Sequence, residues 1–260
     1  MCGIFGFVLA KPVQLTEVFA VLESLEIHQY PGEETPVGGF AAGIAILRNG
    51  ELSVVKTGKM RDTSPVRELT KLVKAVEASV LISHVRMPSP EFMDTAYQVE
   101  TAQPYVASCF GSLRLASVHN GFIGNYKVLQ QKLGEGHRFE SDGVGLIDSE
   151  VVPHCFEEAL RANADVEEAL HVLSELLEGR MAIALLQTGQ RGSYLHFVHK
   201  GQTRGLHVWV NDRGEVVFCS RKETVTPFFR DILAQDRFNA TVSVKWKEEK
   251  DIKLSFAVKD

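Results

Sequence analysis

Long hydrophobic runs are missing from this chain of 260 residues: no segment approaches the roughly 18 consecutive apolar residues that a membrane-spanning helix needs. A membrane partner is therefore not expected. Positive charge has no excess either. The 28 Lys and Arg residues stand against 33 Asp and Glu, a formal net charge of -5. They are scattered singly or in pairs, which leaves no basic stripe to hold a phosphate backbone, and nucleic acid is not an expected partner. Cysteine is scarce. Cys2, Cys109, Cys155 and Cys219 lie far apart with no CxxC pair, so the spacing suggests neither a zinc site nor a redox motif, and a reducing compartment fits best. The apolar opening lacks a basic n-region and a cleavage site, and position 2 is not the glycine that myristoylation requires. The expected location is cytoplasmic.

What is present is an ordinary globular composition, 45% apolar and 23% charged. Short β-type runs recur at Ile4 to Leu9, Ala41 to Leu47, Leu52 to Lys56, Val80 to Val85, Leu113 to Val118, Met181 to Leu186, Leu195 to Val198, Leu206 to Val210 and Val216 to Cys219. Asn49-Gly50 and Asn211-Asp212-Arg213-Gly214 read as hairpin turns, because these residues accept positive φ. Helical periodicity marks Leu15 to Ile27, Val66 to Val76, Tyr126 to Leu133, Val152 to Leu160 and Val166 to Leu177. Strands and helices are interspersed, which suggests a layered α+β domain. The chain reads as one domain, 1–260, with a surface loop at Tyr30 to Gly39. Alternating apolar residues predict a C-terminal β-hairpin at about 240–258. About forty residues of strand-like sequence follow Ser220.

Four local features carry chemistry. Removal of Met1 would give Cys2 a free thiol and a free α-amine, placing nucleophile and base on one residue. Asn120-Gly121 follows a strand and offers a side-chain amide beside a backbone N–H, two donors for a developing oxyanion. Arg86 ends another strand and could hold a carboxylate through two parallel hydrogen bonds, with the Pro-containing stretch Met87 to Pro104 behind it as a closing loop. Asp148, in Asp148-Ser149-Glu150-Val151, could grip an ammonium group. Taken singly, each has a commoner explanation: a packed core thiol, an Asn-Gly turn, a surface charge, a helix cap.

Taken in chain order, Met1-Cys2-Gly3-Ile4-Phe5-Gly6, then His84-Val85-Arg86, then His119-Asn120-Gly121-Phe122-Ile123-Gly124-Asn125-Tyr126, then Asp148-Ser149-Glu150-Val151, the sequence resembles the class II glutamine amidotransferase domain. The first and third motifs are specific together, and the resemblance runs from Cys2 to about Ser220. It implies a four-layer αββα sandwich of the N-terminal-nucleophile hydrolase type. It further implies a glutaminase in which Cys2 attacks the glutamine carboxamide through a γ-glutamyl thioester, with Asn120 and Gly121 as the oxyanion hole. Arg86 would take the substrate α-carboxylate and Asp148 its α-ammonium. No cofactor and no metal are called for.

Many members of that family carry an Arg-Gly-x-Asp-Ser-x-Gly run before the second strand. Here the region reads His28-Gln29-Tyr30-Pro31-Gly32-Glu33-Glu34, without the Arg and Asp, which points away from the best-known biosynthetic branches. Three functional readings follow, in this order: a glutaminase that passes ammonia to a separate synthase subunit, a stand-alone hydrolase of another γ-glutamyl amide, and a non-catalytic glutamine-sensing subunit.

Overall fold

The computed structural model describes residues 2–58, 62–163, 165–203 and 205–258. Two antiparallel sheets lie face to face. The first is built from β1 (Gly3–Gln14), β2 (Ala41–Arg48), β3 (Glu51–Gly58), β4 (Glu77–Arg86), β9 (Leu206–Val210), β10 (Val216–Cys219) and β11 (Asn239–Val244), in the order β11-β9-β10-β1-β4-β2-β3. The second holds β5 (Tyr105–Ala107), β6 (Arg114–Ile123), β7 (Gly179–Thr188), β8 (Ser193–Lys200) and β12 (Ile252–Val258), in the order β12-β8-β7-β6-β5. Helices α1 (Leu15–Ile27), α2 (Pro65–Leu72) and α6 (Lys222–Gln235) cover the first sheet, and α3 (Tyr126–Leu133), α4 (Val151–Ala162) and α5 (Val166–Leu176) cover the second. This is the four-layer αββα sandwich expected from the sequence.

The unbroken apolar run of β1 has a simple cause: both faces of the strand are buried, so alternation of polar and apolar residues disappears. Ile4 and Val8 point into the layer between the sheets, with Val118, Ala184 and Phe197 opposite. Phe5, Phe7 and Leu9 point the other way, into the helix layer, where the Phe5 and Phe229 rings meet edge to face at 5.3 Å. Gly6 sits at the tightest glycine position of β1. A Cβ there would lie 2.3 Å from the Leu81 carbonyl oxygen and 2.6 Å from the Phe218 ring, so no larger residue fits. The β2–β3 hairpin turns through Asn49 and Gly50, both at positive φ (53° and 73°), as their sequence suggested.

Two expectations are corrected. The C-terminal strands do not form a hairpin: β11 pairs with β9 in the first sheet, whereas β12 crosses to pair with β8 in the second. Alternation identified both strands but carries no information about partners, and two open sheet edges competed with the local turn. The segment after Ser220 is not all strand, because α6 occupies Lys222–Gln235. Pro227 inside that helix removes one backbone donor and masks the periodicity of Val225, Phe229, Ile232 and Leu233, which nevertheless pack on the first sheet. The loop Tyr30 to Gly39 runs over the surface as expected, with Pro31, Gly32, Glu34 and Thr35 exposed, and is anchored at two points. Val37 is fully buried, and the carboxylate of Glu33 pairs with Arg221 at 2.6 Å, both side chains being inaccessible to solvent.

Candidate active site

Strand parity assembles the site. On β1, Ile4 and Val8 face the layer between the sheets, so Cys2, two residues before Ile4, continues the same face. On β4 the inward residues are Val80 and Ile82, which puts His84 and Arg86 on that face. On β6 they are Ala116 and Val118, which puts Asn120 there. Gly3 pairs with Val85, so β1 begins where β4 ends. Three side chains singled out in the sequence thus enter one end of the sandwich from three strands.

Cys2 is partly buried, and its Sγ lies 3.3 Å from the Met87 carbonyl oxygen, to which the thiol donates. The start of β1 is held by Ser220, whose N–H donates to the Ile4 carbonyl at 2.9 Å and whose Oγ accepts the Ile4 amide at 3.1 Å. Val37 and Leu25 crowd Gly3, where any Cβ would clash at 2.7 Å. Met1, whose removal the sequence reading requires, lies outside the described residues.

Arg86 is 4% exposed and clamped by the stretch that follows it: Nη1 donates to Thr101 Oγ1 at 2.5 Å, to the Thr95 carbonyl at 3.3 Å and to the Ala96 carbonyl at 3.4 Å. Burial lowers its pKa, and Tyr105, Cys2 and Asp148 act in the opposite sense as its electrostatic neighbours. Asp148, also 4% exposed, accepts the Ile123 amide through Oδ2 at 3.0 Å. Burial raises its pKa to about 7 against the backbone hydrogen bonds of Ile123 and Ser149, with Cys2 adding to the rise. A cation and a carboxyl group are therefore held within electrostatic range of each other and of the thiol.

Asn120 is fully buried, yet both its side-chain Oδ1 and Nδ2 lack any hydrogen-bond partner. Leaving two strong polar atoms unpaired costs on the order of 1–3 kcal/mol each, so the position is better suited to a ligand than to packing. Gly121, next to it, has φ 139°, and a Cβ there would lie 2.0 Å from the Arg180 carbonyl oxygen. Only glycine allows this approach of β6 to β7.

The sequence did not reveal what supports these groups. Gln103 spans β6, accepting the His119 amide at 2.6 Å and donating to the His119 carbonyl at 3.1 Å and to Ser149 Oγ at 3.1 Å. Ser149 Oγ lies 2.8 Å from His119 Nδ1. Glu150 accepts the amides of Glu140 and Ser141 and the Ser141 hydroxyl. Asp148, Ser149 and Glu150 therefore latch onto three different segments. Their charge and hydroxyl pattern was visible, but their partners lie 9 to 46 residues away. Tyr105, fully buried with an unpartnered hydroxyl, was also missed, since it falls in a strand of only 3 residues. Surface cavities beside Phe110 and Arg191, and beside Leu129 and Cys155, are separate from this site.

The profile of the glutamine amidotransferase domain family matches residues 93–227, about half of the chain. The chain belongs to this family. Among its curated relatives, a glutamine–fructose-6-phosphate aminotransferase (isomerizing) of Sulfurisphaera tokodaii is 31% identical over 194 residues, covering 74% of this chain and 29% of the relative. The corresponding protein of Halobacterium salinarum is 33% identical over 192 residues, 74% of this chain and 28% of the relative. The chain thus spans under a third of the length of the curated relatives it matches. The solved structure of glutamine phosphoribosylpyrophosphate amidotransferase from B. subtilis, complexed with ADP and GMP, superposes with a TM-score of 0.61 over 97% of this chain and 49% of that one, at 19% identity.

The fold is accordingly that of the N-terminal-nucleophile class II glutamine amidotransferases, with a cysteine at position 2 as is typical of the class. The loop without the Arg and Asp stands in a chain whose relatives include the aminotransferases just named. No helix among the described residues is long and apolar enough to cross a membrane.

Proposed function

We propose that residues 1–260 act as a single glutaminase domain that hydrolyses the side-chain amide of glutamine and hands the ammonia to a synthase on a separate subunit, in the cytoplasm. The observation that carries this reading is that Arg86 and Asp148, two buried groups of opposite charge type, lie within electrostatic range of each other and of Cys2. Opposite charges at fixed separation suit the α-carboxylate and α-ammonium of a free amino acid, and the thiol then meets its side chain. With Met1 removed, the Cys2 α-amine takes the thiol proton, and the sulfur attacks the carboxamide carbon. Asn120 Nδ2 and the Gly121 amide hold the oxyanion. The C–N bond breaks as the amine returns its proton to the departing ammonia, leaving a γ-glutamyl thioester. Water activated by the same amine then releases glutamate and restores the thiol.

The test measures intact mass and ammonia release on one preparation, using glutamine and a panel of γ-glutamyl amides, with and without cell extract. The expected result is a mass lacking Met1, glutamine as the preferred substrate, and a rate that rises when extract supplies the acceptor. Cys2→Ala should lose about a million-fold in rate and still bind glutamine. Full turnover by protein that retains Met1, or ammonia release unchanged in Cys2→Ala, sinks the mechanism. Preferred cleavage of one amide other than glutamine, indifferent to extract, would instead make the chain a stand-alone γ-glutamyl hydrolase.

A further inference from the structure

On the helix side of the second sheet, four side chains from three separate segments converge on one point. Cys109 comes from the connection after β5, His137 from the segment after α3, and His154 with Glu157 from successive turns of α4. One ligand atom from each lies within 4.8 Å of all the others. His137 Nδ1 and His154 Nδ1 are 3.2 Å apart, Cys109 Sγ and His154 Nδ1 are 3.6 Å apart, and His137 Nδ1 and Glu157 Oε2 are 3.6 Å apart. A tetrahedral zinc ion, with bonds of about 2.0–2.1 Å to nitrogen or oxygen and about 2.3 Å to sulfur, places its ligand atoms roughly 3.3–3.6 Å from one another. The three spacings fall at or near that range without movement of the backbone.

We propose that Cys109, His137, His154 and Glu157 form a structural zinc site. The donor set of thiolate, two imidazoles and a carboxylate is the one a tetrahedral zinc centre takes, and it disfavours the hard cations that demand oxygen alone. Two of the ligands, Glu157 and His137, are already oriented by hydrogen bonds. Glu157 receives the amides of Cys109 and Phe110 on Oε1, at 2.8 and 3.1 Å. Its other oxygen, Oε2, is fully buried and lacks a hydrogen-bond partner, facing His137 across the cluster. His137 presents Nδ1 inward while its Nε2 lies 2.9 Å from the Glu158 carboxylate, the outer-shell arrangement that sets the tautomer and raises ligand basicity. Phe139 packs on the His154 ring and Phe110 on the His137 ring, with centroids at 4.5 and 5.2 Å, which shields the cluster from solvent. Among these groups the alternative to a metal is a set of close polar contacts that leaves a buried carboxylate oxygen unmatched.

The site has a structural consequence. His154 and Glu157 belong to the helix that begins directly after Asp148-Ser149-Glu150, and His137 precedes the Glu140 and Ser141 amides that donate to Glu150. The ion joins both ends of the segment that presents Asp148. Spacing along the chain could not disclose it, since the ligands are separated by 28, 17 and 3 residues and no local CxxC or HxxxH pair exists.

The test uses the full chain expressed with zinc in the medium and measures metal content by elemental mass spectrometry, then titrates chelator-stripped protein with Co2+. One zinc per chain is expected, together with visible d–d bands of tetrahedral intensity and a thiolate-to-cobalt charge-transfer band. Cys109→Ser should lose the charge-transfer band and keep the d–d bands. Glu158→Gln, at a half-exposed position that leaves the fold intact, should weaken Co2+ binding about 10- to 100-fold. Absence of stoichiometric zinc together with absence of a tetrahedral cobalt spectrum overturns the proposal. So does a charge-transfer band that survives Cys109→Ser and disappears in Cys2→Ala, which would place the ion at the nucleophile.

Discussion

Asp148 Oδ2 accepts the amide of Ile123 at 3.0 Å, so the carboxyl group is tied to the end of the same strand that carries Asn120 and Gly121. Its other oxygen accepts the Ser149 hydroxyl at 3.4 Å. The carboxyl is oriented by the protein but not neutralised by it, and its pKa of about 7 records that state: burial raises it more than the hydrogen bonds lower it. This is the state in which an ammonium group would be received under the proposed function.

A pH dependence follows from this pairing. If Asp148 takes the substrate ammonium, it does so as the ionised carboxyl, so the affinity for glutamine, measured by calorimetry on Cys2→Ala, should be level above about pH 7.5 and fall roughly tenfold per unit below pH 6.5. The stability effect has the opposite sense. The folded state holds the Asp148 proton at pH values where the unfolded chain, with its ordinary carboxyl near 3.8, has lost it. Stability therefore declines as pH rises from about 4 to about 7. Asp148→Asn should be more stable than the parent at pH 8, with the gap closing toward pH 4, and should not bind glutamine. Denaturant titrations at both pH values check the first statement, and calorimetry with glutamine the second. Equal stability at pH 8 would mean that Asp148 is already neutralised by another group.

Arg86→Lys tests the other charge. Lysine keeps the charge but lacks the planar fork, so it cannot hold the Thr95 and Thr101 clamp and a carboxylate together. KM for glutamine should rise about 10- to 100-fold with a smaller change in kcat, and glutamine analogues without the α-carboxylate should lose much less. An unchanged KM would remove Arg86 from substrate recognition.

Element type was legible in the sequence wherever periodicity was strong and local. α1 and α3 occupy the expected residues, and β9 and β10 match to the residue. What could not be read were relationships between distant segments. β11 and β12 looked like a hairpin because alternation reports faces and says nothing of partners. Gln103 was a polar residue in a loop until the fold set it across His119. The five candidate site residues were found by motif order, whereas the common face of Cys2, Arg86 and Asn120 follows from strand parity, which needs the register of β1, β4 and β6. Cys109 and His137 were invisible for the same reason.

The molecule should be acid-labile. His84, His119 and His196 are buried, and burial lowers each pKa to about 3. The unfolded chain binds their protons near pH 6.5 and the folded chain does not, so the stability each confers is complete above about pH 6.5 and is lost as pH falls toward 3. Each contributes a slope of about 1.4 kcal/mol per pH unit in that window. His196→Gln, remote from Cys2 and placed between Gln187 and Ser255, removes one such group. The acid unfolding curve, followed by near-UV circular dichroism, should be shallower for the variant between pH 6 and 4. Parallel curves would show that His196 binds its proton equally in the folded and unfolded states and does not drive the transition.

Asn120 allows stability and catalysis to be separated at one position. Its side-chain amide is fully buried with neither polar atom partnered, so the free protein carries the cost of desolvating the group without recovering a hydrogen bond. Leucine has nearly the same shape and no polar atom, and replacing a buried unpaired polar group by an apolar one of matched size is neutral or stabilising. Asn120→Leu should therefore melt at or above the temperature of the parent. The oxyanion, however, forms only during turnover, and loss of one donor to it costs about 100- to 1,000-fold in kcat. KM should change little, because under the proposed function glutamine is held in the ground state by its α-carboxylate and α-ammonium, through Arg86 and Asp148, and not through Asn120. Asn120→Asp is the informative partner variant: it keeps the size and presents an acceptor where a donor is needed, so its kcat should fall at least as far while its stability drops below the parent at neutral pH. A leucine variant that is both less stable and fully active would show that Asn120 packs the core and leaves the oxyanion to other groups.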